Sequence, residues 1–203
     1  PTDLPTVAVF DFDGTLTLRD SFLPFLRAIA GRQRYWLGLL KLSPVLLAYG
    51  FKRIPNWQAK EAMLIHFLSG ISTARLAVVS EQFARRALPK LLRPEAIARL
   101  AWHQQQGHQT IIVSASLEAY LQPCAALMGI DQVVGTRLKS RDGYITGRML
   151  GKNCYGPEKA VRLQAILSDL QQPASACRLY AYGDSRGDRE LLAMANYPYY
   201  RKF

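Results

Sequence analysis

Acidic residues are scarce in one part of this 203-residue chain. Between Ser21 and Lys90, eleven Lys and Arg residues accompany only Glu61 and Glu81, so this segment carries a net charge of +9. The rest of the chain supplies only +2 of the total of +11. Such an excess suits an anionic partner such as a phosphate ester, a lipid surface or a nucleic acid. The alternative is a merely solvated basic surface, and charge alone does not distinguish the two.

Cysteine is also scarce. The three cysteines, Cys124, Cys154 and Cys177, are scattered along the chain and odd in number. They fit neither a disulfide framework nor a metal-ligand spacing, which favours a reducing compartment. The N-terminus has no charged-then-apolar leader, so a cytoplasmic protein is expected, although a leader removed beforehand would leave no trace.

No apolar run is clearly long enough to span a bilayer. The most apolar stretch, residues 35–51, is shorter than the roughly 20 residues that a membrane-spanning helix needs, and Pro44 should break or kink it. Basic residues flank this stretch, so residues 32–53 are a candidate for peripheral membrane contact. We favour the alternative, a pair of buried helices packed against their neighbours, because short apolar runs more often form cores.

The hydrophobic pattern predicts an α/β fold. With 49% hydrophobic residues, the chain can bury a core of ordinary size. Residues 6–10 form a predicted strand, and from residue 109 onward strands and helices alternate as they do in a mainly parallel sheet. No segment between Asp20 and Gln106 has a convincing strand pattern. Residues 19–91 are therefore predicted to form an all-helical insert directly after the first strand.

Two predictions concern the strands of the second half. Residues 110–113 are predicted to form a buried strand that ends at Ser114. Residues 132–138 and 144–146 are predicted to form two strands joined by a hairpin turn at Asp142-Gly143.

Polar side chains follow three of the predicted strands at the point where each strand ends. The set consists of Asp11 and Asp13 after the first strand, Ser114 after the second, Asp184 and Asp188 after a third, and Lys159 at the start of a helix. The carboxyl ends of parallel strands meet at one edge of the sheet, where α/β proteins bind ligands. We therefore expect these distant side chains to converge.

Such a set has the components needed for phosphoryl transfer. A carboxylate nucleophile can form a covalent intermediate, and a second carboxylate can move protons. Mg²⁺ prefers oxygen ligands and is held by one or two carboxylates together with the substrate phosphate. A hydroxyl and an ammonium group can bind the phosphoryl oxygens.

Each of these residues also has an ordinary structural interpretation. The two carboxylates after the first strand can be a polar turn that caps the next helix. Ser114 can be a strand-end hydroxyl that caps a turn. Lys152 competes with Lys159, although the position of Lys159 at a helix start favours it. Asp188 can simply favour the N-terminus of its helix.

Four ordered motifs carry a resemblance to a known family. They are Asp-Phe-Asp-Gly-Thr at 11–15, Ile-Ile-Val-Ser-Ala-Ser at 111–116, Gly-Pro-Glu-Lys at 156–159 and Gly-Asp-Ser-Arg-Gly-Asp at 183–188. The sequence resembles the haloacid dehalogenase-like hydrolases, specifically the branch that contains the phosphoserine phosphatases. This resemblance implies a Rossmann-like catalytic core formed by residues 1–18 and 92–203, with residues 19–91 as an inserted helical cap.

The resemblance also implies a role for each motif residue. Asp11 is the nucleophile that becomes an aspartyl-phosphate, and Asp13 protonates the leaving group and then activates the hydrolytic water. Mg²⁺ is held by the Asp11 carboxylate, the Asp13 backbone carbonyl and Asp184. Asp188 orients Lys159 or a metal-bound water. The residues implied to bind the phosphoryl oxygens are Ser114, Lys159, Gly14 and Thr15.

Three positions depart from the pattern of phosphoserine phosphatases and bear on substrate specificity. Ala115 and Ser116 replace the two glycines that usually follow the second-motif serine. Asp20 is shorter than the usual glutamate that grips the substrate amine, and it can equally cap a helix.

The basic and apolar insert fits a lipid phosphate better than a small amino acid, and some bacterial relatives with this organisation are phosphatidylglycerophosphate phosphatases.

We therefore predict a Mg²⁺-dependent phosphatase that acts on a small-molecule or lipid phosphomonoester. The alternatives are a phosphatidylglycerophosphate-type phosphatase at a membrane surface and a phosphoserine phosphatase. A non-enzymatic alternative is an anion-binding module that uses the basic insert. No aromatic–basic nucleic-acid motif is evident, so a nucleic-acid partner is not expected. The sequence carries no prediction of the oligomeric state.

Overall fold

Five parallel strands form the central sheet of the protein, as seen in a computed structural model that describes residues 4–170 and 176–203. The strands of the chain are β1 Thr6–Phe10, β2 Gln109–Leu117, β3 Gln132–Thr136, β4 Leu138–Arg141, β5 Tyr144–Met149, β6 Arg178–Gly183 and β7 Tyr197–Tyr200. The sheet order is β3-β2-β1-β6-β7. The predicted α/β fold with a mainly parallel sheet is confirmed. Residues 1–3 and 171–175 of the predicted core lie outside the described residues.

Helices connect these strands and cover the sheet. They are α1 Phe22–Ala30, α2 Arg32–Gly50, α3 Asn56–Leu68, α4 Thr73–Arg86, α5 Pro94–Gln105, α6 Glu118–Met128, α7 Pro157–Asp169 and α8 Arg189–Ala193. Successive side chains of a strand point to opposite faces of the sheet. Val7 and Val9 of β1 therefore pack in an apolar layer with α7 and α8, while Ala8 and Phe10 pack with α5 and α6. Because helices cover both faces, all four residues are fully buried.

Helices α1 to α4 lie between β1 and β2, and the chain enters and leaves this helical segment through adjacent connections. Thr17 forms an antiparallel bridge with Leu92 where the two connections meet. The apolar centre of the segment continues into the layer beside the sheet. The ring of Phe25 in α1 lies 5.4 Å from Phe83 in α4 and 4.6 Å from Tyr120 in α6. These contacts seat the helical segment on the sheet layer.

The predicted hairpin exists, but its strands were assigned wrongly. Strand β3 ends at Thr136 and belongs to the five-stranded sheet, and the hairpin is formed by β4 and β5 alone. The hairpin packs against the helical segment, since the Gly70 N–H donates to the Ile145 carbonyl at 2.9 Å. The Ile145 N–H in turn donates to Ile71 at 2.8 Å. A single run of strand-forming residues across 132–138 hid the change of direction after Thr136.

The interpretation of residues 35–51 as a pair of buried helices is wrong. Helix α2 is one helix that continues through Pro44, and it packs against α1 and α3. A Cβ on Gly38 would overlap with the ring of Phe67, so the absence of a side chain lets α2 approach α3. No described residue covers the opposite face of α2, where Leu40 is 70% exposed. Among the described residues, no helix combines the length and the apolar character needed to cross a membrane.

Strand β2 is longer than predicted. It extends past Ser114 to Leu117, with a register shift after Val113 where it pairs with β3. The small side chains at 114–116 carried no strand signal of their own. The strand is extended by pairing of Leu117 with Thr136, a tertiary contact.

Candidate active site

The sheet register brings the predicted strand-end residues to one edge. Phe10 is paired with Ile112 of β2 and with Tyr182 of β6. The residues that come after Phe10, Ile112 and Tyr182 therefore lie side by side at the carboxyl edge of the sheet. Asp11 is the one on the central strand. The Asp11 N–H donates to the Tyr182 carbonyl at 2.9 Å, which fixes the backbone where the strand ends.

The turn after β1 requires glycine at position 14. Gly14 has a φ of +80°, a conformation that other residues adopt only with strain. A Cβ at this position would also overlap with the carboxylate of Asp184. The Thr15 hydroxyl donates to Asp184 Oδ1 at 3.5 Å. The first and the fourth sequence motifs are thus in direct contact.

Three carboxylates form a compact acidic cluster at this edge. Asp11, Asp184 and Asp188 each offer an oxygen atom, and these atoms lie within 4.8 Å of one another. Asp11 and Asp188 are buried. Burial raises the pKa of Asp184, and the charge of Asp188 raises it further. Clustered carboxylate oxygens are the donor set that a hard divalent cation such as Mg²⁺ binds, so these residues fit the predicted metal.

Lys159 is buried between two of these carboxylates. Its Nζ atom donates to Asp11 Oδ1 at 2.7 Å and to Asp188 Oδ1 at 2.5 Å. Burial alone would lower the pKa of Lys159, but the charges of Asp11 and Asp188 outweigh burial and raise it. Lys159 therefore stays cationic. Lys152, the alternative to Lys159 in the sequence analysis, is exposed. Its backbone carbonyl accepts a hydrogen bond from Arg162.

Asp188 organises the loop after β6. Its Oδ2 atom accepts hydrogen bonds from the Asp184 N–H at 3.3 Å and the Ser185 N–H at 3.0 Å. The Ser185 hydroxyl donates to the same oxygen at 2.8 Å. Since Oδ1 accepts from Lys159, Asp188 connects this loop to α7. These bonds form a capping box at the 3₁₀ turn of residues 186–188, and the Asp188 side chain makes no cap bond to α8 itself.

Asp13 lies apart from the acidic cluster, facing the helical segment. Its Oδ1 atom accepts from the Ser21 N–H at 2.7 Å, and its Oδ2 atom accepts from the Ser116 hydroxyl. Burial raises the pKa of Asp13 to about 6, and the charge of Asp20 adds to this effect. A carboxyl group with a pKa near neutrality can both donate and accept a proton at physiological pH.

Among the remaining predicted residues, Ser116 and Asp20 lie beside Asp13, and Ser114 and Ala115 precede Ser116 in β2. Ser114 is buried, and its Oγ atom accepts from the Ser116 N–H at 3.2 Å. The Ala115 carbonyl accepts from the Thr136 hydroxyl at 2.7 Å. Asp20 is exposed, and its Oδ1 atom accepts from the Leu23 N–H at 3.1 Å at the start of α1. This hydrogen bond supports the interpretation of Asp20 as a helix cap.

A cleft of about 370 Å³ opens beside Asp13, between the sheet edge and the helical segment. Asp20, Lys60 and Ser116 contribute polar groups to its wall. The other walls are mainly apolar and come from Phe22, Leu23, Leu39, Leu46, Ala59 and Met63, with Tyr49 and Asn56 at the side.

Sequence reasoning missed two basic residues at the site. Lys60 of α3 donates to the Ala115 carbonyl, and Arg93 donates to the Gly14 carbonyl at 3.0 Å and to the Thr15 carbonyl at 3.2 Å. A signal for Lys60 was present. It shares helical spacing with Met63, Leu64 and other apolar residues, so it lies on the inward face of α3. Arg93 had no such signal, because it lies in a connection.

These features define a hydrolase of one family. The model of the haloacid dehalogenase-like hydrolases matches residues 8–193, and the chain belongs to that family. The resemblance inferred from the four motifs is confirmed, and so is the prediction of an enzyme.

Three similar proteins each match most of this chain. Protein CicA of Caulobacter vibrioides is 40% identical over 201 residues, which cover 98% of this chain and 87% of that protein. The crystal structure of a Bordetella pertussis Tohama I protein of unknown function has a TM-score of 0.81 at 27% identity, covering 94% of this chain and 86% of that one. A structure of phosphoserine phosphatase with a phospho-aspartyl intermediate analogue shares the fold. Its TM-score is 0.65 at 16% identity, over 95% of this chain and 84% of that one.

Proposed function

We propose that this chain is a Mg²⁺-dependent phosphatase that hydrolyses a phosphomonoester through an aspartyl-phosphate on Asp11. The observation that carries the proposal is the buried contact of Lys159 with both Asp11 and Asp188, beside Asp184. A cation and a carboxylate nucleophile are thus held together at the point where a phosphoryl group would be bound and attacked.

The chemistry follows from the two carboxylates at the end of β1. Asp11 attacks phosphorus, the bond from phosphorus to the leaving oxygen breaks, and Asp13 donates a proton to that oxygen. Asp13 then takes a proton from water, which attacks the phosphorus and releases inorganic phosphate from Asp11. The pKa of about 6 suits Asp13 to both transfers, because the group changes charge near neutrality.

The other predicted residues bind and orient. Lys159, the Ser114 hydroxyl, Gly14 and Thr15 would bind the phosphoryl oxygens. The Asp11 and Asp184 carboxylates and the Asp13 backbone carbonyl would hold Mg²⁺, which would supply positive charge against the charge of the phosphate. Asp188 is already engaged by Lys159 and the loop after β6, so we assign it to positioning Lys159.

The test is hydrolysis of 4-nitrophenyl phosphate with saturating Mg²⁺. The wild type should turn over, and Asp11→Asn should lower kcat by at least about a thousandfold because it removes the nucleophile. Asp142→Asn, at an exposed turn, is the matched control and should retain activity. An inactive wild type across a broad panel of phosphomonoesters, at full Mg²⁺ occupancy, would contradict the proposal.

A lipid phosphate at a membrane surface is the second candidate substrate. The observation that favours it is the uncovered face of α2, where Trp36, Leu40 and Leu47 are 57%, 70% and 60% exposed. Basic residues accompany this face and are also exposed: Arg32, Arg34, Lys41, Lys52 and Arg53. Apolar side chains beside basic ones match an anionic lipid interface. Leu39 and Leu46 of the same helix line the cleft beside Asp13, which connects the two surfaces.

Sedimentation with vesicles tests this candidate. Binding to anionic phospholipid vesicles, and not to phosphatidylcholine alone, should fall strongly in the double variant Leu40→Ser/Leu47→Ser. The matched control is Leu127→Ser/Leu150→Ser, which changes two exposed leucines elsewhere. Wild-type binding in the α2 variant would exclude this face. Hydrolysis of O-phosphoserine in preference to phosphatidylglycerophosphate would favour a phosphoserine phosphatase, and vesicle binding without any turnover would favour the anion-binding module.

A further inference from the structure

The peptide between Ala115 and Ser116 is held from two sides. Its carbonyl oxygen accepts hydrogen bonds from the Lys60 ammonium and from the Thr136 hydroxyl. Its N–H donates to Ser114 Oγ at 3.2 Å. The orientation of this one peptide therefore determines which group faces Ser114.

The two serines beside this peptide face the proposed chemistry. Ser114 Oγ uses a lone pair to accept from the Ser116 N–H, so its own hydrogen remains available to donate to a phosphoryl oxygen. The Ser116 hydroxyl donates to Asp13 Oδ2. Both serines are buried, at 1% and 3% exposure, so water does not readily replace these contacts.

Lys60 comes from the helical segment and reaches across to the sheet edge. Besides the Ala115 carbonyl, its Nζ atom donates to Asn153 Oδ1 at 2.9 Å and contacts Thr136 Oγ1 at 3.4 Å. An ammonium group has three N–H donors, and these three acceptors account for them. All three acceptors are uncharged, in contrast to the two carboxylates around Lys159.

The acceptors themselves belong to one connected network. The Thr136 hydroxyl lies 2.8 Å from Asn153 Oδ1, and the Cys154 N–H lies 3.1 Å from Thr136 Oγ1. Asn153 Nδ2 donates to Asn56 of α3 at 3.4 Å. The network thus joins α3, the end of β2, the end of β3 and the loop that leads to α7.

We propose that Lys60 is a positioning residue that fixes the Ala115–Ser116 peptide, so that Ser114 donates toward the phosphoryl group and Ser116 donates to Asp13. The inference rests on the proposed phosphatase function for its kinetic consequence. Its structural part, the coupling of α3 to residues 113–117, stands on the contacts alone. Lys60 also joins the helical segment to the catalytic edge, so the site is complete only when α3 is seated on the sheet.

The kinetic test compares Lys60→Met with Lys41→Met, which removes an exposed lysine of the same segment. Lys60→Met should lower kcat/KM for 4-nitrophenyl phosphate by about a hundredfold, the size of effect that a displaced catalytic group produces. Inhibition by vanadate, which mimics the five-coordinate phosphorus, should weaken more than inhibition by phosphate. Thr136→Val should cause a smaller loss, and the double variant should be little worse than Lys60→Met because both act on one carbonyl.

Amide hydrogen exchange of the folded variants provides a readout that does not depend on activity. Exchange in residues 56–68 and 113–117 should accelerate in Lys60→Met, while β6 and β7 should keep wild-type protection. Unchanged protection at 113–117, or unchanged kcat/KM in an active enzyme, would overturn the assignment. A wild type that does not hydrolyse phosphomonoesters would remove the proposed function, and exchange at 113–117 would still decide whether Lys60 holds this peptide.

Discussion

Strand β1 and helix α2 are both apolar segments, but the molecule buries only one of them. Val7 to Phe10 of β1 are fully buried, because helices pack on both faces of the sheet. Helix α2 packs against α1 and α3 on one side, and Leu40 on its other side is 70% exposed. The number of layers that cover a segment decides its burial, and composition alone does not. The following predictions test this difference between the sheet and the helical segment.

The largest effect is expected where the sheet edge buries a charge. Lys159→Met leaves Asp11 and Asp188 facing each other without their cation, which should lower the free energy of unfolding by about 3–5 kcal/mol. Urea unfolding in the presence of a chelator measures this loss. Lys41→Met, on the exposed side of α2, should change the free energy by less than about 0.5 kcal/mol. Equal urea midpoints for the two variants would show that the buried charge at the sheet edge matters no more for stability than the exposed charge on α2.

Matched leucine truncations test the same difference without charge. Leu179→Ala in β6 removes a fully buried side chain and should lower the free energy of unfolding by about 2–5 kcal/mol. Leu40→Ala in α2 removes a side chain that is already mostly solvated, so a change within about 0.5 kcal/mol is expected. Thermal and urea unfolding of both variants give the comparison. A comparable loss in Leu40→Ala would show that the uncovered face of α2 is covered in solution.

A smaller effect should appear as a pH dependence. His103 of α5 is fully buried, with its Nε2 atom 2.9 Å from the Tyr182 hydroxyl and its Nδ1 atom 2.8 Å from His108 Nδ1. Burial lowers the pKa of His103 to about 4, so the unfolded chain binds the proton more readily below pH 6.5. Neutral His103 therefore makes its full contribution to the free energy of unfolding above pH 6.5. This contribution is lost as the pH falls toward 4.

The measurement is the free energy of unfolding at pH 7 and pH 4. The difference between these values should be about 2–3 kcal/mol smaller in His103→Gln than in the wild type. His66→Gln, which changes an exposed histidine of α3, is the matched control. A His103 variant with the wild-type pH dependence would place the acid sensitivity in other groups.

The sequence was sufficient to predict the sheet edge and its side chains, for a physical reason. Asp11 and Asp184 follow strands and Ser114 lies near the carboxyl end of β2, and parallel strands bring their carboxyl ends together whatever the distance along the chain. The sequence was not sufficient to show what covers α2, because cover depends on neighbours contributed by other segments. The hairpin was misassigned because the change of direction after Thr136 falls within an apparently continuous strand pattern.

The position of Lys60 shows a further limit. Its spacing placed it on the inward face of α3, but its acceptors come from β2, β3 and the loop before α7. Only tertiary structure brings these groups within hydrogen-bonding distance. The contact of Gly14 with Asp184 is similar, since glycine marks a turn in the sequence while the carboxylate that needs the space lies 170 residues further on.

The two connections to the helical segment lie side by side, with the Leu18 N–H donating to the Leu91 carbonyl at 2.7 Å. The helical segment is therefore joined to the sheet at one place, whichever helices lie between the two connections. A change of length within α2 therefore need not move the end of β1. A displacement of Ser21 or a change at Lys60 would instead remove a contact with Asp13 or with the Ala115 carbonyl, so the segment tolerates variation unevenly along its length.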